Sequence, residues 1–192
     1  MYKEKELPQR KHPRLNNYDY SSAGAYFVTI CTQNRMCALS HIVGRGLAPA
    51  GTSDTEYSSF ENVGRGLAPA ETSGIKYTIF GKIAEQQLLS LEDRYAYLSV
   101  DQYVIMPNHI HVVFILQSDA AGASPRPTIT DIVCAYKSLT TRECKKNGFN
   151  GKLFQTSFYE HVIRGRDDYD KIVKYIYENP ICWYYDELYI EE

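Results

Sequence analysis

Apolar residues fall in short blocks whose spacing switches between strand-like and helix-like along the chain. Residues 25–33 (Ala-Tyr-Phe-Val-Thr-Ile-Cys-Thr-Gln) are dense in β-branched and aromatic side chains, which suit a pleated, half-buried surface, and predict a strand. From Ile83 to Tyr95 the apolar positions Ile83, Leu88, Leu89 and Leu91 recur at helical spacing. Leu98–Ile105 and His109–Leu116 predict two strands joined by a tight Met-Pro-Asn connection. Thr130-Asp131 is a capping signal for a helix reaching about Lys146, with Ile132, Val133, Tyr136, Leu139 and Thr140 along one face. Phe154–Arg164 predicts a further strand. Asp167-Asp168 then opens a last helix that runs to Glu178 and is stopped by Pro180. Its residues Tyr169, Ile172, Val173 and Ile176 form an apolar face for docking on a sheet. The order β-α-β-β-α-β-α predicts an α+β fold. It is a ferredoxin-like split βαβ with an antiparallel sheet, the 109–116 strand central, and an added C-terminal helix.

The length of 192 residues and the 44% apolar content suit one domain with its own core. Uninterrupted apolar runs such as Val112–Leu116 stay too short for a membrane span, and the start of the chain lacks a signal peptide's apolar segment. Five cysteines, Cys31, Cys37, Cys134, Cys144 and Cys182, are odd in number and follow no C-x-x-C spacing, which predicts reduced thiols and a cytoplasmic protein. A formal net charge of −2 argues against a pure nucleic-acid coat, yet the charge is uneven. Lys3, Lys5, Arg10, Lys11 and Arg14 crowd the N-terminal arm, while Asp186 to Glu192 is acidic. Seventeen tyrosines among scattered Arg and Lys offer both stacking faces and phosphate contacts.

One stretch stands outside this pattern. Val-Gly-Arg-Gly-Leu-Ala-Pro-Ala at 43–50 recurs at 63–70, and the likeness continues through Thr52/Thr72, Ser53/Ser73, Tyr57/Tyr77 and Phe60/Phe80. Two Gly-, Pro- and Ala-rich copies cannot build a solenoid, and an inserted loop accounts for them better than an RNA-binding Gly-Arg-Gly box. Written as codons (CTN for leucine, CGN for arginine), reverse-complemented and shifted by one frame, the octapeptide must read Ala-Gly-Ala-(Ser or Arg)-Pro-Arg-Pro-Thr. Residues 121–128 are Ala-Gly-Ala-Ser-Pro-Arg-Pro-Thr, a match at every position. One short DNA repeat therefore entered this gene at least three times, twice direct and once inverted. The insertions, at about 43–75 and 119–128, read as surface loops, and inverted copies of the DNA can fold into hairpins.

The chemistry centres on His109 and His111. In a strand, residues i and i+2 share a face about 6.6 Å apart, so the two imidazoles can converge on one ion while Ile110 and Val112 face the other side. On the C-terminal helix Tyr175 and Asn179 lie one turn apart. A phenol with pKa near 10 needs a base or a cation to become a nucleophile. A divalent ion on two imidazoles and one amide oxygen, which Asn179 can supply, would polarise a phosphodiester and stabilise charge on its leaving oxygen. Tyr177 is a rival nucleophile but sits about 200° around the helix from Tyr175. His161 reads as a structural strand histidine in preference to a DNA contact.

Four segments together resemble the single-tyrosine HUH transposases, within them the REP-associated tyrosine transposases of the IS200-like type. They are Met106–Phe114, the helix containing Tyr136–Arg142, Leu153–Arg164 and Tyr175–Pro180. The N-terminal Tyr18–Thr32 is similar to that branch as well, and the likeness spans most of 9–40 and 76–183 in order. The resemblance implies a single transposase/nuclease domain over 1–192, with His109, His111 and Asn179 as metal ligands and Tyr175 as catalytic nucleophile. It implies cleavage and rejoining of single-stranded DNA near hairpins through a 5′-phosphotyrosine. Mg²⁺ or Mn²⁺ is needed and no ATP, because the phosphotyrosine conserves the bond energy. A monomer or homodimer in a bacterial-type, nucleoid-associated setting is implied, with no membrane. Candidate DNA contacts are Arg10, Lys11 and Arg14 in the arm, Lys137 and Arg142 on the middle helix, and Arg164 and Arg166 before the last. The alternatives are an inactive relic that binds hairpin DNA, a histidine-triad hydrolase, which Val113 disfavours, and a small structural metal protein.

Overall fold

The computed structural model describes residues 18–43, 74–118 and 126–190. Arg10, Lys11 and Arg14 and most of both insertions lie outside these residues. Four strands form the main sheet: β1 (Gly24–Cys31), β4 (Leu98–Ile105), β5 (His109–Leu116) and β6 (Tyr159–Ile163). Their order is β4-β5-β1-β6, and each neighbouring pair is antiparallel. The helices are α1 (Ile79–Arg94), α2 (Ile129–Lys146) and α3 (Arg166–Glu178). With α1 between β1 and β4, and α2 between β5 and β6, this is the split βαβ expected from the spacing, and the histidine-bearing β5 is an interior strand.

Period-2 alternation decides which face each residue serves. Val28 and Ile30 of β1, with Ile110, Val112 and Phe114 of β5, pack under α1 and α2, joined by Leu88, Leu91, Ile132 and Tyr136. Phe27, Val104 and Val113 face the other side, where Ile176 of α3 and Trp183 cover them. A bulge between Val100 and Gln102 breaks the β4 register. Asp101, at that bulge, accepts the Tyr169 hydroxyl of α3, which ties the helix to the sheet.

Several boundaries differ from expectation for local reasons. Helix α1 begins four residues early because Thr78 caps it, its Oγ1 accepting from Gly81 N. A Cβ at Gly81 would collide with the Leu39 carbonyl, so only glycine lets the helix start this close to the preceding chain. Helix α2 is opened by Thr128, which forms a capping box with Asp131, and Thr130 lies inside the first turn. A small ribbon of β2 (Ser40–Ile42) and β3 (Ile75–Tyr77) brackets the first insertion. Strands of three residues are too short to show a period.

The expected strand 154–164 pairs regularly only from Tyr159 onward. Thr29 is opposite Tyr159, but Thr32 bridges Phe154, so five steps on one chain span three on the other. The surplus residues arch out between Gln155 and Phe158. Lys137 donates to the Thr156 carbonyl (2.9 Å) and Lys152 to Thr156 Oγ1 (2.7 Å), holding the arch. No described helix is long and apolar enough to cross a membrane.

Candidate active site

His109 opposes Cys31 and His111 opposes Thr29 across the β5–β1 ladder, so both imidazoles emerge on the face covered by α3. Their ring centroids are 4.4 Å apart and both side chains are buried. Each ring is oriented through Nδ1. Asn108 Nδ2 donates to the Leu188 carbonyl (2.7 Å), which fixes the amide so that Asn108 Oδ1 faces His109 Nδ1 at 2.8 Å. That oxygen can only accept, so His109 carries its proton on Nδ1 and presents a lone pair at Nε2. His111 Nδ1 is paired with Thr29 Oγ1 at 2.8 Å, which likewise leaves Nε2 facing the site.

Helix α3 brings in the third side. Burial of Ile176, with Tyr169 and Ile172 packed beside it, sets the rotation of the helix. Tyr175 and Asn179 then flank the histidines. The Tyr175 ring lies 5.0 Å from His111 and 6.2 Å from Phe27, and Asn179 is buried. Tyr177, about 200° around α3 from Tyr175, does not line the groove that Tyr175 lines and is half exposed. The segment after α3 contributes a residue the sequence reading did not single out, Asp186. Its Oδ2 accepts from Asn179 Nδ2 (2.6 Å) and from the Tyr175 hydroxyl (3.4 Å), and its Oδ1 accepts from Leu188 N (2.6 Å). Ligand atoms of His109, His111 and Asp186 lie within 4.8 Å of one another.

Burial holds both imidazoles neutral. It lowers His109 to about 4, against a partial offset from the Asp186 carboxylate and the Asn179 amide. His111 is pushed well below the usual histidine value by burial and then by His109 beside it. Tyr175 is raised to about 12, first by burial and then by the negative Asp186. Among the described residues, His109 Nε2, His111 Nε2 and Asn179 Oδ1 are buried without a hydrogen-bond partner. Unpaired buried polar atoms are costly, and three that converge as lone-pair donors beside a carboxylate fit a divalent cation.

An open groove of about 1030 Å³ runs past this centre, lined by Thr29, Cys31, His111, Tyr159, Tyr175 and Asp186 among others. Lys137 and Arg142 line a second groove of about 800 Å³ on the exposed side of α2. Arg164 and Arg166 line neither. Arg166 Nε is paired with Asp170 Oδ1 at 2.9 Å, and Arg164 N donates to Asp168. His161 Nε2 is 2.8 Å from Asp168 Oδ2, so this histidine has a structural partner at the β6–α3 turn.

No family model matches the sequence. A Haemophilus influenzae protein described only as uncharacterized is 27% identical over 200 residues, covering 96% of each chain. Among solved structures, a REP-associated tyrosine transposase bound to a REP hairpin aligns with a TM-score of 0.55 and 17% identity. The alignment covers 91% of this chain and 76% of that one. The chain thus has the fold of a REP-associated tyrosine transposase, with a His-His-Asp group able to hold a metal on the face of its sheet that α3 covers.

Proposed function

We propose that the protein is a divalent-metal-dependent transposase and endonuclease for single-stranded DNA. It cuts and rejoins a strand near hairpin repeats through a 5′-phosphotyrosine on Tyr175. The observation that carries this reading is the pairing of a half-exposed tyrosine with two buried imidazoles whose Nε2 atoms lack partners. The solved transposase of the same fold, bound to its REP hairpin, supports the choice of substrate class.

His109, His111 and Asn179, with Asp186 beside them, are the residues that would hold Mg²⁺ or Mn²⁺. Such an ion, when bound, supplies positive charge to the scissile phosphate and to the leaving 3′-oxygen. Tyr175 Oη attacks phosphorus, the bond from phosphorus to the 3′-oxygen breaks, and the 5′ end stays on the tyrosine. The phenolic proton passes to Asp186 Oδ2, its hydrogen-bond acceptor, and the departing 3′-oxygen takes a proton from water. Attack on the phosphotyrosine by another 3′-hydroxyl reverses these transfers, so strand joining needs no ATP. Asn108 and Thr29 keep both imidazoles in register for the cycle.

The direct and inverted copies within the gene at 43–50, 63–70 and 121–128 give the natural probe. A labelled hairpin with single-stranded flanks, built from those codons, is incubated with the protein and Mn²⁺ and run on a denaturing gel. A covalent adduct that disappears with EDTA and in Tyr175→Phe is expected. Binding without an adduct, unchanged in Tyr175→Phe, identifies a hairpin-binding relic instead.

A further inference from the structure

The second groove lies between the exposed stripe of α2 and the arch that precedes β6. Cys134, Lys137, Thr141 and Lys145 follow one another at helical spacing along its wall, with Arg142 beside them and Lys152 also lining the groove. From Cys134 to Lys145 the stripe runs about 16 Å along the helix axis. No carboxylate among the described residues lines the groove. Among the described residues, no ion pair involves Lys137, Arg142, Lys145 or Lys152; Lys146 alone of the lining cations has one, with Glu143 at 2.7 Å. A chain with net charge −2 thus gathers five cations on one concave surface.

Two further observations say what this surface faces. Lys137 is half-buried, and burial and neighbouring Lys152 lower its pKa, so a nearby anion would relieve it. Its ammonium sits 5.8 Å from the centre of the Phe158 ring, and Phe158 lines the groove of the active site. Gln155 lines both grooves. The arch from Gln155 to Phe158 is therefore a saddle between Tyr175 and the basic stripe. A polyanion that reaches from one to the other passes Gln155 and Phe158, and the carboxylates that line the active-site groove, Asp186 and Glu187, lie at the Tyr175 end.

We infer that the basic groove of α2 binds the phosphate backbone of the same nucleic acid whose scissile phosphate sits at Tyr175, and so holds the flank of the cut site. This rests on the nuclease reading for the position of the scissile phosphate. Phosphates of either a single-stranded flank or a hairpin stem satisfy the chemistry. Lys137, Arg142 and Lys145 act as positioning residues by fixing which phosphodiester reaches the tyrosine.

Cys134 is an exposed thiol built into this groove, and Cys182 is exposed but lines neither groove. Alkylation of both by N-ethylmaleimide is followed by peptide mass mapping on the full chain in EDTA. The runs are made without DNA, with a single-stranded oligonucleotide, and with a blunt hairpin. Cys134 is expected to react at least about fivefold more slowly with DNA while Cys182 does not. Protection by the single strand assigns the groove to a flank, and protection by the hairpin alone assigns it to a stem. In parallel, affinity is measured against salt for wild type and for K137Q/R142Q/K145Q. Each lost phosphate contact should flatten the slope by about 0.7, hence by about 2 for the triple variant. DNA bound with Cys134 fully reactive overturns the inference even if the triple variant fails to fold. A Tyr175 adduct without protection of Cys134 removes this inference alone, and protection without an adduct removes the nuclease reading alone.

Discussion

Thr29 and Asn108 decide which nitrogen each histidine offers. Thr29→Val deletes the partner of His111 Nδ1 while conserving volume, leaving a buried nitrogen unpaired and the ring free to turn. Loss of such a partner typically lowers metal affinity 10–100-fold. Calorimetric titration of Mn²⁺ should show that drop, along with about 1–3 kcal/mol of lost stability without the ion. An unchanged Mn²⁺ affinity would mean that His111 is not held for a ligand. Asp186→Asn keeps shape and removes charge. It is expected to weaken Mn²⁺ binding and to bring the Tyr175 phenol down from about 12, since Asp186 is the charge that adds to burial there. Ultraviolet titration against Tyr175→Phe reads that shift. At this scale the sequence was partly legible. His-x-His in a strand and residues four apart on a helix carry their geometry in their spacing, so the positions of His109, His111, Tyr175 and Asn179 could be anticipated. Asp186 could not, because it arrives on a turn after α3 and reads as one more acid in an acidic tail. Thr29 becomes a neighbour of His111 only through the β1–β5 register, which neither strand specifies alone.

Elements placed these residues by devices of unequal visibility. Long periodic segments were readable from their apolar spacing, and β4 and β5 have the limits their sequence predicts. What escaped was short or tertiary: three-residue strands, and the arch before β6, which exists because β1 turns away at Thr32 into a short 3-10 turn. The β6–α3 joint tests how such devices matter. Gly165 caps α3 at φ 91°, ψ 175°, a region essentially confined to glycine, and no described residue lies near its missing Cβ. Gly165→Ala therefore isolates backbone strain without a clash, and should cost about 1–3 kcal/mol in urea unfolding. Asp168 holds the same joint, accepting from Arg164 N at 2.9 Å and His161 Nε2 at 2.8 Å. If Gly165→Ala is neutral, the joint is softer than its hydrogen bonds imply, and the direction of α3 is set by Ile176 and the Tyr169–Asp101 contact instead.

For the molecule as a whole, the candidate site is a source of acid sensitivity. His109 and His111 are buried and neutral in the folded chain, with His109 lowered from 6.5 to about 4 and His111 moved in the same direction. Unfolded, both titrate near 6.5, so between about pH 6.5 and 4 the unfolded chain binds more protons than the folded one. Stability must then rise with pH across that window and fall as pH drops through it, by up to about 1.4 kcal/mol per pH unit for each histidine. The lowered carboxylates, Asp19 and Asp168, have the same sign but act only below the ordinary aspartate value of 3.8, so the two effects separate on the pH axis. Thermal melts in EDTA are expected to drop between pH 6.5 and 4.5 for the wild type. The dependence should be shallower in His109→Asn/His111→Asn. Added Mn²⁺ should raise the melting temperature at pH 7 and steepen the acid limb, because protons and cation compete for the same Nε2 lone pairs. A flat profile over that window would mean that water reaches the imidazoles. The unpaired nitrogens would then be solvated, and the case for a cation between β5 and α3 would lose its physical basis.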